Sequence, residues 1–297
     1  DGVSFGSSNA LFDPAISSGP TLITPGAVVY RLSNGNIAML RLVPLCFFTL
    51  FLYSADKLWS GSGSTWRRLA VLGAPLLLVV GARDLTTHSL VPGRFLGEIP
   101  AVACLSFAAL QLRERRTILA GAFASLAVLC KLHFLIPALM LLAATLIPLL
   151  ISRQRKNLRT ACLLVLAFVT PILAFEAYKL WNLGATGYFL ENSALVNWLT
   201  GQPLTLSETI AMLPGKLREL MNIFSLFFFL WLSIGLTAST LLIISKPGVL
   251  RKFRTRAFIS LETRIQTVLI LSGTILVCWW LISSNQPSVR QALPGVL

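Results

Sequence analysis

Leu110-Gln111-Leu112-Arg113-Glu114-Arg115-Arg116-Thr117-Ile118-Leu119-Ala120 decides how this chain folds. An apolar run ends, a knot of arginines follows, and a second apolar run begins at once. The same pattern recurs at Lys57 to Arg68, Arg153 to Arg159 and Lys246 to Arg264, and these four linkers hold most of the 25 lysines and arginines. Between them lie apolar stretches and linkers that are poor in basic residues. Short basic loops stay on the cytoplasmic side of a membrane. Alternation of basic and non-basic connections therefore predicts an all-α, polytopic transmembrane helix bundle. It also places Asp1, Asp13, Asp84, Glu98, Glu191, Glu208 and Glu219 together on the opposite, outer face.

Composition supports the same class. Of the 297 residues 55% are hydrophobic and 12% charged, against roughly 25% charged in a soluble domain. Most of such a surface must face lipid. The net charge of +14 suggests nucleic acid until its placement is considered. The charges sit in short connections rather than on one face of a folded domain, which argues against a nucleic-acid partner. Cys46, Cys104, Cys130, Cys162 and Cys278 lie in or beside apolar runs without metal spacing or a CxxC pair, and read as small packing residues.

A helical span takes about 20 apolar residues. That rule gives eight spans, at 37–57, 68–82, 95–112, 117–131, 134–151, 160–181, 222–245 and 265–283. Lys131, His133 and Pro137 split 117–151 into two helices with a tight outer turn. Trp181, Trp198, Trp279 and Trp280 fall near the outer interface, and Trp59 and Trp66 near the inner one, as an aromatic belt requires. The outer loops 1–36 and 182–221 are long. The first carries Gly, Ser, Pro and a short apolar helix at 25–32. The second has an amphipathic pattern of one or two helices lying on the membrane surface. The chain opens at Asp1 without an initiator Met and stops at Leu297 in an apolar stretch. It reads as one transmembrane domain, 1–297, cut from a longer protein.

Four outer places have residues suited to chemistry. Phe12-Asp13-Pro14-Ala15-Ile16-Ser17-Ser18-Gly19-Pro20-Thr21 is a turn-rich loop. Asp13 there is either a general base toward an acceptor hydroxyl or amine or a solvated turn residue. Arg94-Phe95-Leu96-Gly97-Glu98-Ile99-Pro100 carries Glu98 at the entry to a span. Arg94 stands one turn earlier as a partner, and Arg83, Asp84 and His88 crowd the same loop. The alternative is an acid favouring a helix N-terminus with Pro100 in the first turn. In Cys130-Lys131-Leu132-His133 the charges have no partner in their own segment. Lys131 either meets an anion such as a phosphate or, the favoured reading, snorkels to the interface. Arg290, before a further apolar stretch, either grips a phosphate or flanks a span. Glu176 and Lys179 read as a local pair. No Walker loop, GxGxxG, HExxH or GxSxG occurs.

Taken in order, these stretches resemble the GT-C class of bacterial membrane glycosyltransferases, relatives of the protein O-mannosyltransferases and the lipid A aminoarabinose transferase. The loop Phe12 to Thr21 is similar to that class's first outer loop, and Leu96-Gly97-Glu98-Ile99-Pro100-Ala101 to its second acidic motif. Leu129-Cys130-Lys131, before a run with Pro137, resembles its lysine-ended helix. Arg290 with Pro294 resembles its arginine before the final spans. The class places its key acid just after a first span, so the resemblance implies Asp1 or a residue before it. Its Lys-Pro-Pro element is replaced here by Gly19-Pro20-Thr21, and that lysine's role does not carry over.

The resemblance implies transfer of a sugar from a polyprenyl-phosphate carrier to an acceptor, on the periplasmic face of a bacterial inner membrane, as part of cell-envelope chemistry. Asp1, Asp13 and Glu98 would be the catalytic acids. Arg94, Lys131, Arg290 and His88 would hold the phosphate. The resemblance fixes no cofactor; in some members of the class the second acidic site holds a metal, so a divalent metal stays open, and no residue is assigned as a metal ligand. A transporter or flippase of a polar or lipid-linked substrate is the alternative. It is disfavoured by charges gathered at one face and by the lack of half-to-half symmetry.

Overall fold

The computed structural model describes residues 19–60, 98–152, 154–200, 206–223 and 261–283, with positions 65, 69, 72 and 73. Among the described residues the protein is all-helical and has no strand. The expected spans at 68–82 and 222–245 and the expected loops at 83–97 and 284–297 fall almost entirely outside them.

Helix α1 covers Pro20–Leu32, with a proline in its first turn, where the missing N–H costs nothing. It starts before the expected residue 25 for that reason. It ends with Gly35 N–H bonded to the Tyr30 carbonyl and Asn34 N–H to Arg31. Asn34, at φ 51°, takes the left-handed position that such helix ends require. Asn36 then caps α2 (Ile37–Leu40), its Oδ1 accepting from the Ala38 and Met39 N–H groups at 2.9 and 3.4 Å. Helix α3 (Leu42–Ala55) continues at once and closes in a wider turn, Asp56–Ser60.

Helix α4 (Glu98–Arg113) and α5 (Thr117–Cys130) are joined by the arginine knot. Arg116 N–H reaches the Gln111 carbonyl and Arg115 N–H that of Leu112. Arg115 sits at φ 61°, the slot usually held by glycine. A 3-10 turn, Leu132–Phe134, leads into α6 (Leu135–Ile151). Helix α7 spans Arg155–Thr200 but bends at Gly184, whose φ of 67° and ψ of 172° are open essentially to glycine alone. The expected loop after residue 181 is therefore a helical elbow. Helices α8 (Leu206–Ile223) and α9 (Leu261–Ser283) complete the described chain.

Helix α4 is the axis. From Glu98 to Leu112 all of it is buried except Phe107. It packs chiefly against α3 and α5 and also touches α6 and α9. Alanines make this possible: Ala101, Ala103, Ala108 and Ala109 on α4 and Ala120, Ala124 and Ala127 on α5 are all fully buried in one core. Small residues let apolar helices approach closely where lipid supplies no hydrophobic drive. At Gly121 a Cβ would lie 2.6 Å from the Leu164 carbonyl on α7.

The outward faces are inverted relative to a water-soluble protein. Ile136, Leu139, Ile147, Leu150, Leu166, Leu173, Ile270 and Ile275 are all exposed. The exposed threonines Thr49, Thr170 and Thr274 each donate to a carbonyl four residues back, at 2.7 to 3.0 Å. In hydrocarbon a hydroxyl without a partner would cost several kcal/mol, roughly. Stretches 37–59, 132–151 and 155–190 are long and apolar enough to cross a membrane. These properties mark a membrane protein.

One end of the helices carries the basic connections. Arg113 bonds the Lys57 carbonyl and pairs with Glu262 at 3.3 Å. Gln266 bonds the Leu58 carbonyl at 2.9 Å, and Arg264 bonds that of Ala144 at 3.2 Å. Through Lys57, Arg113 and Glu262 the described parts of three of the four basic linkers are thus joined in space, and Arg264 ties the last of these three to α6.

Candidate functional site

The other end holds the most unusual polar contact in the described structure. Glu98 is the first residue of α4 and is 1% exposed. Lys131 caps α5 and is 6% exposed. Lys131 Nζ lies 3.0 Å from Glu98 Oε1. Each charge suits its helix end, since a carboxylate is favoured at a helix N-terminus and a cation at a C-terminus. The favoured sequence expectation, that Lys131 snorkels, is corrected: its side chain is buried and pairs with the carboxylate of Glu98 on the adjacent helix. The expected Arg94 partner for Glu98 lies outside the described residues.

Local structure fixes both side chains. At Lys131 the backbone turns extended (φ −153°, ψ 122°), which ends α5. Its carbonyl then accepts from Phe134 N–H at 3.0 Å, and Phe134 is buried beneath the turn. His133 sits beside that ring, with centroids 5.6 Å apart. Pro100 and Pro137 stand in the first turns of α4 and α6, where proline is tolerated.

The start of α1 closes onto the same place. Gly19 N–H bonds the Cys130 carbonyl at 2.9 Å, and Thr21 Oγ1 donates to the Leu126 carbonyl at 2.9 Å. A Cβ on Gly19 would sit 1.5 Å from the Leu129 carbonyl oxygen, so only glycine fits. The Cys130 thiol contacts Cys104 and Thr21. Cys104 and Cys130 are buried in the core as expected of packing residues, whereas Cys46 and Cys162 face outward.

Of the residues proposed from sequence, Glu98 and Lys131 are brought together. Asp1, Asp13, His88, Arg94 and Arg290 lie outside the described residues. Sequence reasoning missed the docking of Gly19 and Thr21, for which Gly-Pro signalled only a turn. It also missed the Glu98–Lys131 pairing, although a signal existed. Glu98 stands sixteen residues before Glu114 and Lys131 sixteen after Arg115. The turn of an antiparallel helix pair lies midway, so both residues fall at its open end.

A second polar group forms inside the α7 elbow. Glu176 and Lys179 pair at 2.8 Å, as the sequence suggests. The bend at Gly184 adds two partners. Tyr188 OH donates to Glu176 at 2.9 Å, and Lys179 donates to Asn192 at 3.4 Å. Among the described residues no three His, Cys, Asp or Glu side chains group closely enough to hold a metal ion.

No protein-family model, no curated protein and no solved structure matches the chain.

Proposed function

We propose that the chain is the transmembrane core of a glycosyltransferase that moves a sugar from a polyprenyl phosphate to an acceptor at the non-cytoplasmic face. The observation that supports this reading is the buried Glu98–Lys131 pair with Gly19 to Thr21 docked beside it. The described parts of three of the four stretches that carry the family resemblance, Gly19 to Thr21, Glu98 to Ala101 and Leu129 to Lys131, lie there, at the end opposite the basic connections. In this reading the described helices belong to a polytopic bundle of about eight spans in a bacterial inner membrane. The basic end faces the cytoplasm, as the charge rule requires.

The chemistry follows from the charges. The acceptor oxygen attacks the anomeric carbon while the bond from that carbon to the phosphate oxygen breaks. The acceptor proton passes to a carboxylate, and polyprenyl phosphate leaves with an added negative charge. Lys131 stabilises that charge, with Arg94, His88 and Arg290 as further cations. Glu98 holds Lys131 before substrate enters. As Lys131 turns to the phosphate, Glu98 is released to take the proton, with Asp13 or Asp1 as the acid nearest the acceptor. A single change to Glu98→Gln is expected to abolish sugar transfer from a polyprenyl-phosphate donor in a purified, correctly inserted protein. Unchanged turnover would sink the reading.

A transporter or flippase is the second reading, and burial of the pair favours it. Ionisable residues inside a membrane bundle often line a substrate path. Translocation of a polyprenyl-linked sugar across sealed vesicles, without any transferred product, would decide for it.

A further inference from the structure

Two buried thiols meet beside the candidate site, and the proposed reaction uses neither. Cys104 lies on α4 and Cys130 ends α5, and they are 0% and 1% exposed. The rings of Phe107 and Phe123 lie 4.5 Å apart between centroids and mark the facing sides of the two helices. Cys104 stands three residues before Phe107 and Cys130 seven after Phe123, so both cysteines belong to those sides. Their thiols are in contact. Alanines fill other buried positions of the two helices, among them Ala101, Ala108, Ala124 and Ala127. Cys46 and Cys162 face outward, whereas Cys104 and Cys130 face each other.

The start of α1 covers this pair. Gly19 N–H donates to the Cys130 carbonyl and Thr21 Oγ1 to the Leu126 carbonyl, each at 2.9 Å. Thr21 also touches the Cys130 thiol. Thiols enclosed in apolar surroundings are inert, so their reactivity depends on α1. The cover rests on two hydrogen bonds at the end of the bundle rather than in its middle. Local opening there uncovers Cys130 without unfolding the helices.

We propose that Cys104 and Cys130 are a disulfide site, shielded by the start of α1, that fastens α4 to α5 beside the Glu98–Lys131 pair. The oxidant is an external disulfide, RSSR. Once uncovered, Cys130 loses its proton and attacks one sulfur of RSSR, which releases RS− and leaves Cys130 joined to the other half. Cys104, deprotonated in turn, attacks the Cys130 sulfur and releases the second RS−. Two protein thiols are oxidised, the external disulfide is reduced, and its two halves take up the two protons. The bond holds its sulfurs about 2.0 Å apart, and it forms only between thiols that meet, as these do. It closes the loop through the arginine knot and holds Lys131, the next residue, against α4. In the proposed orientation this end lies outside the cytoplasm, where disulfides form and persist; the site rests on that part of the reading and not on sugar transfer.

The test uses the full chain in detergent, with oxidised glutathione as the external disulfide. Remaining thiols are blocked, and peptide mass spectrometry reads the products. The Cys104 and Cys130 peptides should become linked with loss of two hydrogens, while Cys46 and Cys162 take up glutathione. The oxidised protein should melt higher, because the closed loop restricts the unfolded chain. Cys104→Ser should stop at glutathione on Cys130, since the second thiol is missing. Thr21→Val, which removes one bond of the cover, should speed the linkage about five-fold. Reaction of Cys46 and Cys162 with linkage of Cys104 to Cys130 only in denaturant overturns the proposal. An unchanged rate in Thr21→Val would overturn the shield, and unchanged melting the fastening of α4 to α5. None of these readouts involves sugar transfer, so a failure here and a failure of the reaction are told apart.

Discussion

A lysine and a glutamate buried against each other cost several kcal/mol, roughly, to desolvate. Glu98 and Lys131 bear that cost at 3.0 Å and almost no exposure. Removing one partner leaves an uncompensated charge. We expect Lys131→Met or Glu98→Gln alone to destabilise the protein by about 3–5 kcal/mol. Glu98→Gln/Lys131→Met together should lie within about 2 kcal/mol of wild type. Reversible unfolding in detergent measures all three. Additive losses would show that the two side chains are not coupled. The double variant also separates stability from chemistry: in the proposed reaction it should fold well and transfer no sugar.

At the scale of elements, α5 is the helix on which the arrangement turns. One of its faces meets α4 through alanines, and Gly121 lets α7 approach on another. A Cβ there would stand 2.6 Å from one backbone atom and 3.0 Å from another, and neither is a flexible side-chain tip. Gly121→Val should separate α5 from α7 and cost about 1–3 kcal/mol, as overpacking does. Melting measurements would show the loss, and Ser125→Ala, one turn away, would serve as the mild control. A Gly121→Val protein as stable as wild type would mean that the close approach is not required. The α7 elbow makes the complementary point. Without the positive φ of Gly184, Tyr188 and Asn192 would continue along the helix axis and miss Glu176 and Lys179.

Across the whole molecule, charge divides the two ends. Arg113 gathers Lys57 and Glu262 at one end, while Glu98, Lys131 and Gly19 meet at the other. The proposed orientation puts the first end in the cytoplasm. With the native cysteines replaced, a cysteine at Ser193 should react with an impermeant thiol reagent added outside intact cells. One at Arg155 should react only after permeabilisation. Both positions are exposed, so the reverse pattern would invert the topology and, with it, the face on which the pair works.

Much of the helical plan was legible in the sequence because its cause is local. Lys131 and Pro137 divide α5 from α6, the arginine knot divides α4 from α5, and apolar runs of span length can satisfy their backbone in lipid only as helices. Chain continuity even places Glu98 and Lys131 at one end. Whether Lys131 points to water or to Glu98 was decided by packing, because only the assembled α4 and α5 fix how far each charge lies from solvent and from the other. The same holds for Gly19. Its sequence allows a turn anywhere, and the approach to the Leu129 carbonyl exists only when α1 and α5 are docked. Local rules thus set the helices and their breaks in charge and apolarity, while tertiary distance set which charges meet, since an ion pair depends on separation in space and on the water excluded around it.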